Sequence, residues 1–220
     1  MNRKLTLTAV CIILAVAAVA IFPYLSLNPD SSRTSLTPNF PLHYPLLVLH
    51  IATALLALLS GLVQLSAHYR AKYPKRHRVL GRVYVISIFI SGLLGLVLAF
   101  YAETYTKALA FLALSLLWLW TTWQGYRYAV RGNLVQHRRW MVRSYAITLV
   151  AITARLVVPL CILFYLIFHG FHLPEGGRER MVAEILNVNI WLGLLINVII
   201  VEWGFVHRSG DIYDRKSDGK

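Results

Sequence analysis

Eight histidines, one arginine far inside an apolar stretch and a basic segment written twice are the residues of this chain that could do chemistry. A neutral imidazole can ligate haem iron or another metal, and it is the side chain that exchanges protons near neutral pH. His43, His50, His169 and His172 fall toward one side of the apolar runs that contain or border them. His68, His77, His137 and His207 fall at the other. Four histidines per side would suit a two-haem electron carrier, or a metal ion on either face. Spacing weighs against the simplest arrangement. His43 and His50 share a helix face, so they cannot clasp one haem from opposite sides. Only His50 is embedded; His169 and His172 sit at the mouth of the fifth apolar run, and the fourth run has no histidine. Haem b is therefore a candidate cofactor, with His50, His169 and His172 as candidate ligands. The bland reading of the other group is interfacial histidines at a membrane surface.

Arg155 lies about 12 residues past the basic start of its run, roughly 18 Å deep at 1.5 Å per residue. A charge at that depth costs several kcal/mol (about 3 on an insertion scale) and marks a functional hypothesis. No acidic residue matches its depth. Pro159 removes the hydrogen bond that the Arg155 carbonyl would accept, so a kink is expected there. Either the guanidinium is satisfied by carbonyls, Asn197 and water, or it holds an anionic or carbonyl-bearing ligand. In the second run His43, His50, Gly61, Gln64 and His68 line one side of a helical wheel. In the sixth, Glu184, Asn187, Trp191 and Glu202 share a face. The candidate ligand-binding residues are thus His50, Gln64, Arg155 and Asn187. Trp118, Trp120 and Trp123 could stack on a ring, although such tryptophans more often mark the membrane interface.

The repeated basic segment reads HRVLGRVYVIS at 77–87 and QHRRWMVRSYAIT at 136–148. Each has His-Arg, then Arg, one residue and Tyr. A basic rim of His77, Arg78, Arg82, His137, Arg138, Arg139 and Arg143 follows, suited to anionic lipid headgroups at ~1 kcal/mol per cation near the surface. The repetition also suggests a duplicated helical hairpin.

These residues need elements to position them. The chain of 220 residues is 58% hydrophobic and 14% charged, against about 25% charged in soluble domains. Six apolar runs, about 5–27, 44–67, 83–102, 108–126, 144–168 and 185–206, are each long enough to cross ~30 Å of hydrocarbon. They are continuous and rich in Leu and Ala, which excludes the alternating pattern of a β-barrel. The expected fold is an all-α transmembrane bundle of six helices in one domain, residues 1–220, with a polar tail at 207–220. The first run follows Met-Asn-Arg-Lys and contains small residues that would also suit signal-peptide cleavage. It continues well past them, so an uncleaved helix is expected. The net charge of +13 is asymmetric. Segments 1–4, 68–82, 127–143 and 207–220 hold 17 of the 22 Lys and Arg residues, while the opposite loops hold Arg33, Lys107, Arg178 and Arg180. Short positive segments stay in the cytoplasm, which predicts both termini inside and makes the charge a membrane signal, not one for nucleic acid. Cys11 and Cys161 are expected at different depths, too far apart for a disulfide.

His50, GLVQL at 61–65, HRVLGRVYV at 77–85 and HRRWMVRSYAIT at 137–148, followed by Arg155, resemble the bacterial multi-pass membrane family named domain of unknown function 2306. The resemblance covers roughly residues 43–165. It implies a bacterial inner-membrane protein and points to His50, His77, His137 and Arg155; it implies no established activity. The expected function is to hold haem or a quinone in the core of the second to fifth helices for electron transfer. A small proton-coupled transporter and a non-catalytic subunit of a membrane complex, or a homo-oligomer, are the alternatives. Nucleophile elbows, phosphate-binding loops, dinucleotide fingerprints and regular zinc motifs are absent from the sequence.

Overall fold

Leucine- and alanine-rich runs with few breakers propagate as helices, and in hydrocarbon a helix is forced because every backbone polar group must bond internally. The computed structural model describes residues 3–207. Among them the elements are helical and none is a strand: α1 (Arg3–Ile21), α2 (His43–Gln64), α3 (Ala67–Lys72), α4 (Pro74–Ala99), α5 (Tyr105–Val130), α6 (Leu134–Thr148), α7 (Val150–Leu156), α8 (Val158–Phe168) and α9 (Gly177–Val201). The stretches Lys4–Ser26, His43–Gln64, Pro74–Ala99, Tyr105–Val130 and Gly177–Gly204 are long and apolar enough to cross a membrane. The pair α7 and α8, bent by 41° at Val157, makes a sixth if it counts as one span.

The helices run further than the apolar runs. The segments before residues 83 and 144, read as loops from their charge, are largely helical. Lys and Arg are good helix formers, and strong start signals lie upstream of them. Pro74 occupies the first turn of α4, where its missing N–H costs nothing. Asn133 caps α6 by accepting from the Gln136 amide. Both His-Arg segments therefore ride on helices. The fifth run breaks at Leu149 and Val157, and the second break lies two residues before Pro159.

The chain forms two compact units, residues 1–119 and 120–220, with the boundary inside α5. In the first, α2 lies along α4. The contact is built from small residues: Ser87, Ser91, Gly92 and Gly95 of α4 are buried, as are Ala57, Ser60 and Gly61 of α2. Thr53 and Ser60 hydroxyls donate to Leu49 and Leu56 carbonyls at 2.8 and 2.6 Å, so neither needs water. Leu49, Leu56, Ile86 and Leu93 point outward, as lipid requires. In the second unit, α6, α7 and α8 pack on α9. The bent span is stitched to α9 by asparagines. Asn197 Nδ2 donates to the Ala146 carbonyl at 2.9 Å, its Oδ1 accepts from Thr153, and Asn189 donates to the Ala154 carbonyl at 3.3 Å.

The loop before α2 is pinned at both ends. His43 is buried and its Nδ1 accepts from the Thr37 amide at 3.1 Å. Glu103 accepts from the Ser35 amide at 3.1 Å and hydroxyl at 2.6 Å, and pairs with Lys107. The Lys107 bond, with the two from Ser35, holds the Glu103 carboxyl at about 2, down from 4.5. A lowered acid value means that the ionised form favours the native loop. Its contribution is whole above pH 4.5 and lost as pH falls toward 2. Hydrogen exchange at the Ser35 amide, corrected for its intrinsic rate, is expected to show constant protection above pH 4.5 and falling protection below it. Glu103→Gln should remove most of that protection at neutral pH; unchanged exchange in that variant would refute the pin.

Candidate functional site

Among the embedded histidines, hydrogen bonding separates a structural ring from one free to act. His43 uses its Nδ1 lone pair on the Thr37 amide, and its ring lies 5.5 Å from that of Tyr101. It is a pin. His50, half-buried in α2, does the reverse. Its Nδ1 lies 2.8 Å from the Ser91 carbonyl of α4. A carbonyl cannot donate, so Nδ1 carries the proton and the lone pair sits on Nε2. The Ser91 hydroxyl completes the lock. It lies 3.1 Å from Nδ1 and donates to the His50 carbonyl at 3.1 Å. Gly95, one turn along α4, leaves room at the ring edge: a Cβ there would lie 3.4 Å from His50 Cε1 and 2.5 Å from Ser115 Oγ of α5. A ring N–H given to a backbone carbonyl, with the other nitrogen free, is how proteins orient an imidazole that ligates a metal or accepts a proton.

One turn before the end of α2, Gly61 is buried, and Gln64 Nε2 donates to the His77 carbonyl at 2.9 Å. Gly81 lets that amide approach, since a Cβ would stand 2.8 Å from it. The Gln64 carbonyl oxygen is buried without a hydrogen-bond partner. His50 and Gln64 thus both fasten α2 to α4.

A family model described as a predicted membrane protein (DUF2306) matches residues 47–203. The chain belongs to that family. The DUF2306 match opens three residues before His50 and closes one residue past Glu202, so α1 lies outside it. No curated protein and no solved structure matches the chain.

In the second unit of this DUF2306 protein, His137 of α6 repeats the His50 arrangement, with Nδ1 2.8 Å from the Gly125 carbonyl of α5. Arg143 is drawn out of the basic rim. Its Nε and Nη2 donate to the Glu202 carboxylate at 2.5 and 2.8 Å, and its guanidinium lies 4.8 Å from the Trp140 ring centroid. Donating to the Glu202 carboxylate raises the Arg143 value above its ordinary one. This forked pair clasps α6 to the end of α9, and it leaves Arg143 little share in holding lipid. Arg78, Arg82 and Arg138 are exposed, Arg139 is half-buried and His77 is half-buried.

Arg155 is exposed and its Nη1 donates to the Ala151 carbonyl at 2.6 Å, one turn back on its own helix. Asn197, expected as its neighbour, is instead occupied by Thr153 and the Ala146 carbonyl. Asn187 is half-buried. His169 and His172 are exposed at the end of α8, with His169 Nδ1 2.9 Å from the Tyr165 carbonyl and its ring stacked on Tyr165 at 4.0 Å. Trp118 is buried, while Trp120 and Trp123 are exposed. Cys11 and Cys161 are free thiols. His207 ends the described segment and its side chain lies outside what is described. Among the described residues, no three His, Cys, Asp or Glu side chains gather as a metal site.

Ser91, Gly95, Ser115 and Asn189 escaped the sequence reading. The signal for the first two was present: Ser87, Ser91 and Gly95 recur every four residues in an otherwise bulky helix, which marks a close helix contact.

Proposed function

We propose that this chain is a bacterial inner-membrane protein, with both termini in the cytoplasm, that holds a membrane-soluble redox ligand at His50, b-type haem in the first instance. The orientation of His50 by Ser91 is the observation that supports it. Nδ1–H is spent on a carbonyl, and Nε2 offers a lone pair from within an apolar helix pair. Haem needs only axial ligands from the protein, so the lack of a multi-ligand cluster among the described residues does not weigh against it. Haem would supply one-electron transfer; the chain's own part is to fix the ring, keep Nε2 unprotonated and exclude water.

The same tautomer narrows the quinone alternative. An Nε2 lone pair cannot donate to a quinone carbonyl, but it can accept the proton of a quinol hydroxyl. The reading therefore has two forms, axial ligand or quinol base, and both use His50 alone. In purified full-length protein from haem-replete cells, a Soret band that sharpens on reduction and is lost in His50→Ala is the expected result. Ser91→Ala leaves the carbonyl in place and should preserve the band with a shifted potential. Wild-type protein with no Soret band removes haem. If quinol then binds with equal affinity to wild type and His50→Ala, the quinol form falls as well.

A further inference from the structure

Between α3 and the first turns of α4 lies a cleft of about 340 Å³ lined by Tyr69, Lys75, Arg76, Val79 and Leu80. Its lining is almost wholly apolar, made of the side-chain stems of Lys75 and Arg76, the Tyr69 ring, half-buried Leu80 and Val79, which is exposed at 60%; the charged ends of Lys75 and Arg76 contribute little of that surface. Among the described residues these cations have no carboxylate to neutralise them. No Asp or Glu occurs between Asp30 and Glu103, and no ion pair among the described residues involves Lys75 or Arg76. Tyrosine rings hold the basic end in shape. The Arg76 guanidinium and the Lys72 ammonium lie 5.1 and 5.3 Å from the Tyr73 ring centroid, and the Tyr69 ring lies 5.6 Å from that of Tyr73.

The depth is also set. The 26 residues of α4 rise about 39 Å, some 9 Å more than a ~30 Å hydrocarbon core. The six surplus residues, 74–79, stand in the headgroup layer, where tyrosines gather, with Val79 and Leu80 at its border with the hydrocarbon. We infer that this cleft binds one anionic phospholipid, its phosphate against Lys75 and Arg76 and its glycerol and first methylenes against Val79 and Leu80. Arginine and lysine together supply a fork and a point charge for phosphate oxygens. The apolar floor selects a lipid over free phosphate, which would leave Val79 and Leu80 in contact with a dianion and its water.

The test uses purified full-length protein in nanodiscs of phosphatidylcholine doped with phosphatidylglycerol, with bound lipid counted by native mass spectrometry. Wild type should retain phosphatidylglycerol over phosphatidylcholine. Lys75→Gln/Arg76→Gln should bind it about thirtyfold more weakly, from ~1 kcal/mol per interfacial cation. A charge-matched control, Arg131→Gln/Arg178→Gln, lies in the other unit and should bind as wild type does; circular dichroism checks that both variants fold. Equal retention in the two double variants overturns the site. So does displacement of the lipid by millimolar inorganic phosphate, which would reassign the cleft to a free anion, or equal retention of phosphatidylcholine.

Discussion

Gly193→Leu is expected to unfold the second unit at a far lower temperature than wild type. A Cβ on Gly193 would lie 2.9 Å from the Ala154 nitrogen, 3.2 Å from its Cα and 3.2 Å from the Val150 carbonyl oxygen. All three are backbone atoms, so no rotamer change can relieve the overlap. The helices must separate, and Asn189→Ala154 O and Asn197→Ala146 O stretch with them. Overpacking of this kind costs about 1–3 kcal/mol, and more when backbone must move. Leucine should cost about 4 kcal/mol on that scale. Gly193→Ala should cost less, because it adds only the Cβ, whereas both substitutions regain most of the ~1 kcal/mol of helix propensity that glycine lacks. Gly204, around which a Cβ would meet nothing within 4 Å, provides the control. Thermal unfolding in detergent reads the effect; equal midpoints for Gly193→Leu and Gly204→Ala would show that α7 and α9 are not in the contact described.

The second large effect is conditional, and the condition is its test. Gly95→Ala places a Cβ 2.5 Å from Ser115 Oγ but 3.6 Å from Ser115 Cβ. Here the obstacle is one side-chain oxygen, which a second substitution can remove. Gly95→Ala alone is expected to cost about 2 kcal/mol. Ser115→Ala alone should be close to neutral, and the double variant should regain wild-type stability, a coupling of about 2 kcal/mol between touching sites. In the haem reading the absorbance follows the same order, since His50 Cε1 is the next neighbour at 3.4 Å. Additive losses in the double variant would place Ser115 away from Gly95. The contrast between the two glycines is physical. One is hemmed by backbone and cannot be rescued by trimming a neighbour; the other faces a hydroxyl and can.

The helical class and the membrane spans were legible because they depend on composition and run length alone. Hydrocarbon thickness and backbone satisfaction leave a run such as Tyr44–Ala67 no alternative to a helix, and α2 covers nearly all of it. The bend in the fifth span was legible from Pro159, through the N–H that proline lacks. Helix ends were not. The charge before Val83 and Ser144 ends only the hydrocarbon, not the helix; Pro74 and Asn133 are what start α4 and α6.

For the site, the sequence by itself marked His50 as the embedded imidazole and Gln64 as its companion on α2. It also placed Arg155 deep within the fifth apolar run. Only the tertiary structure decided what those groups do. The Ser91 carbonyl sets which His50 nitrogen carries the proton, and the Ala151 carbonyl takes the Arg155 guanidinium. Glu202 withdraws Arg143 from the rim, a pairing across 59 residues that no local spacing encodes. Periodicity fixes the side of a helix on which a residue stands. It carries nothing about which carbonyl of a neighbouring helix lies opposite, because that register is set by how closely glycine and serine let the two backbones approach.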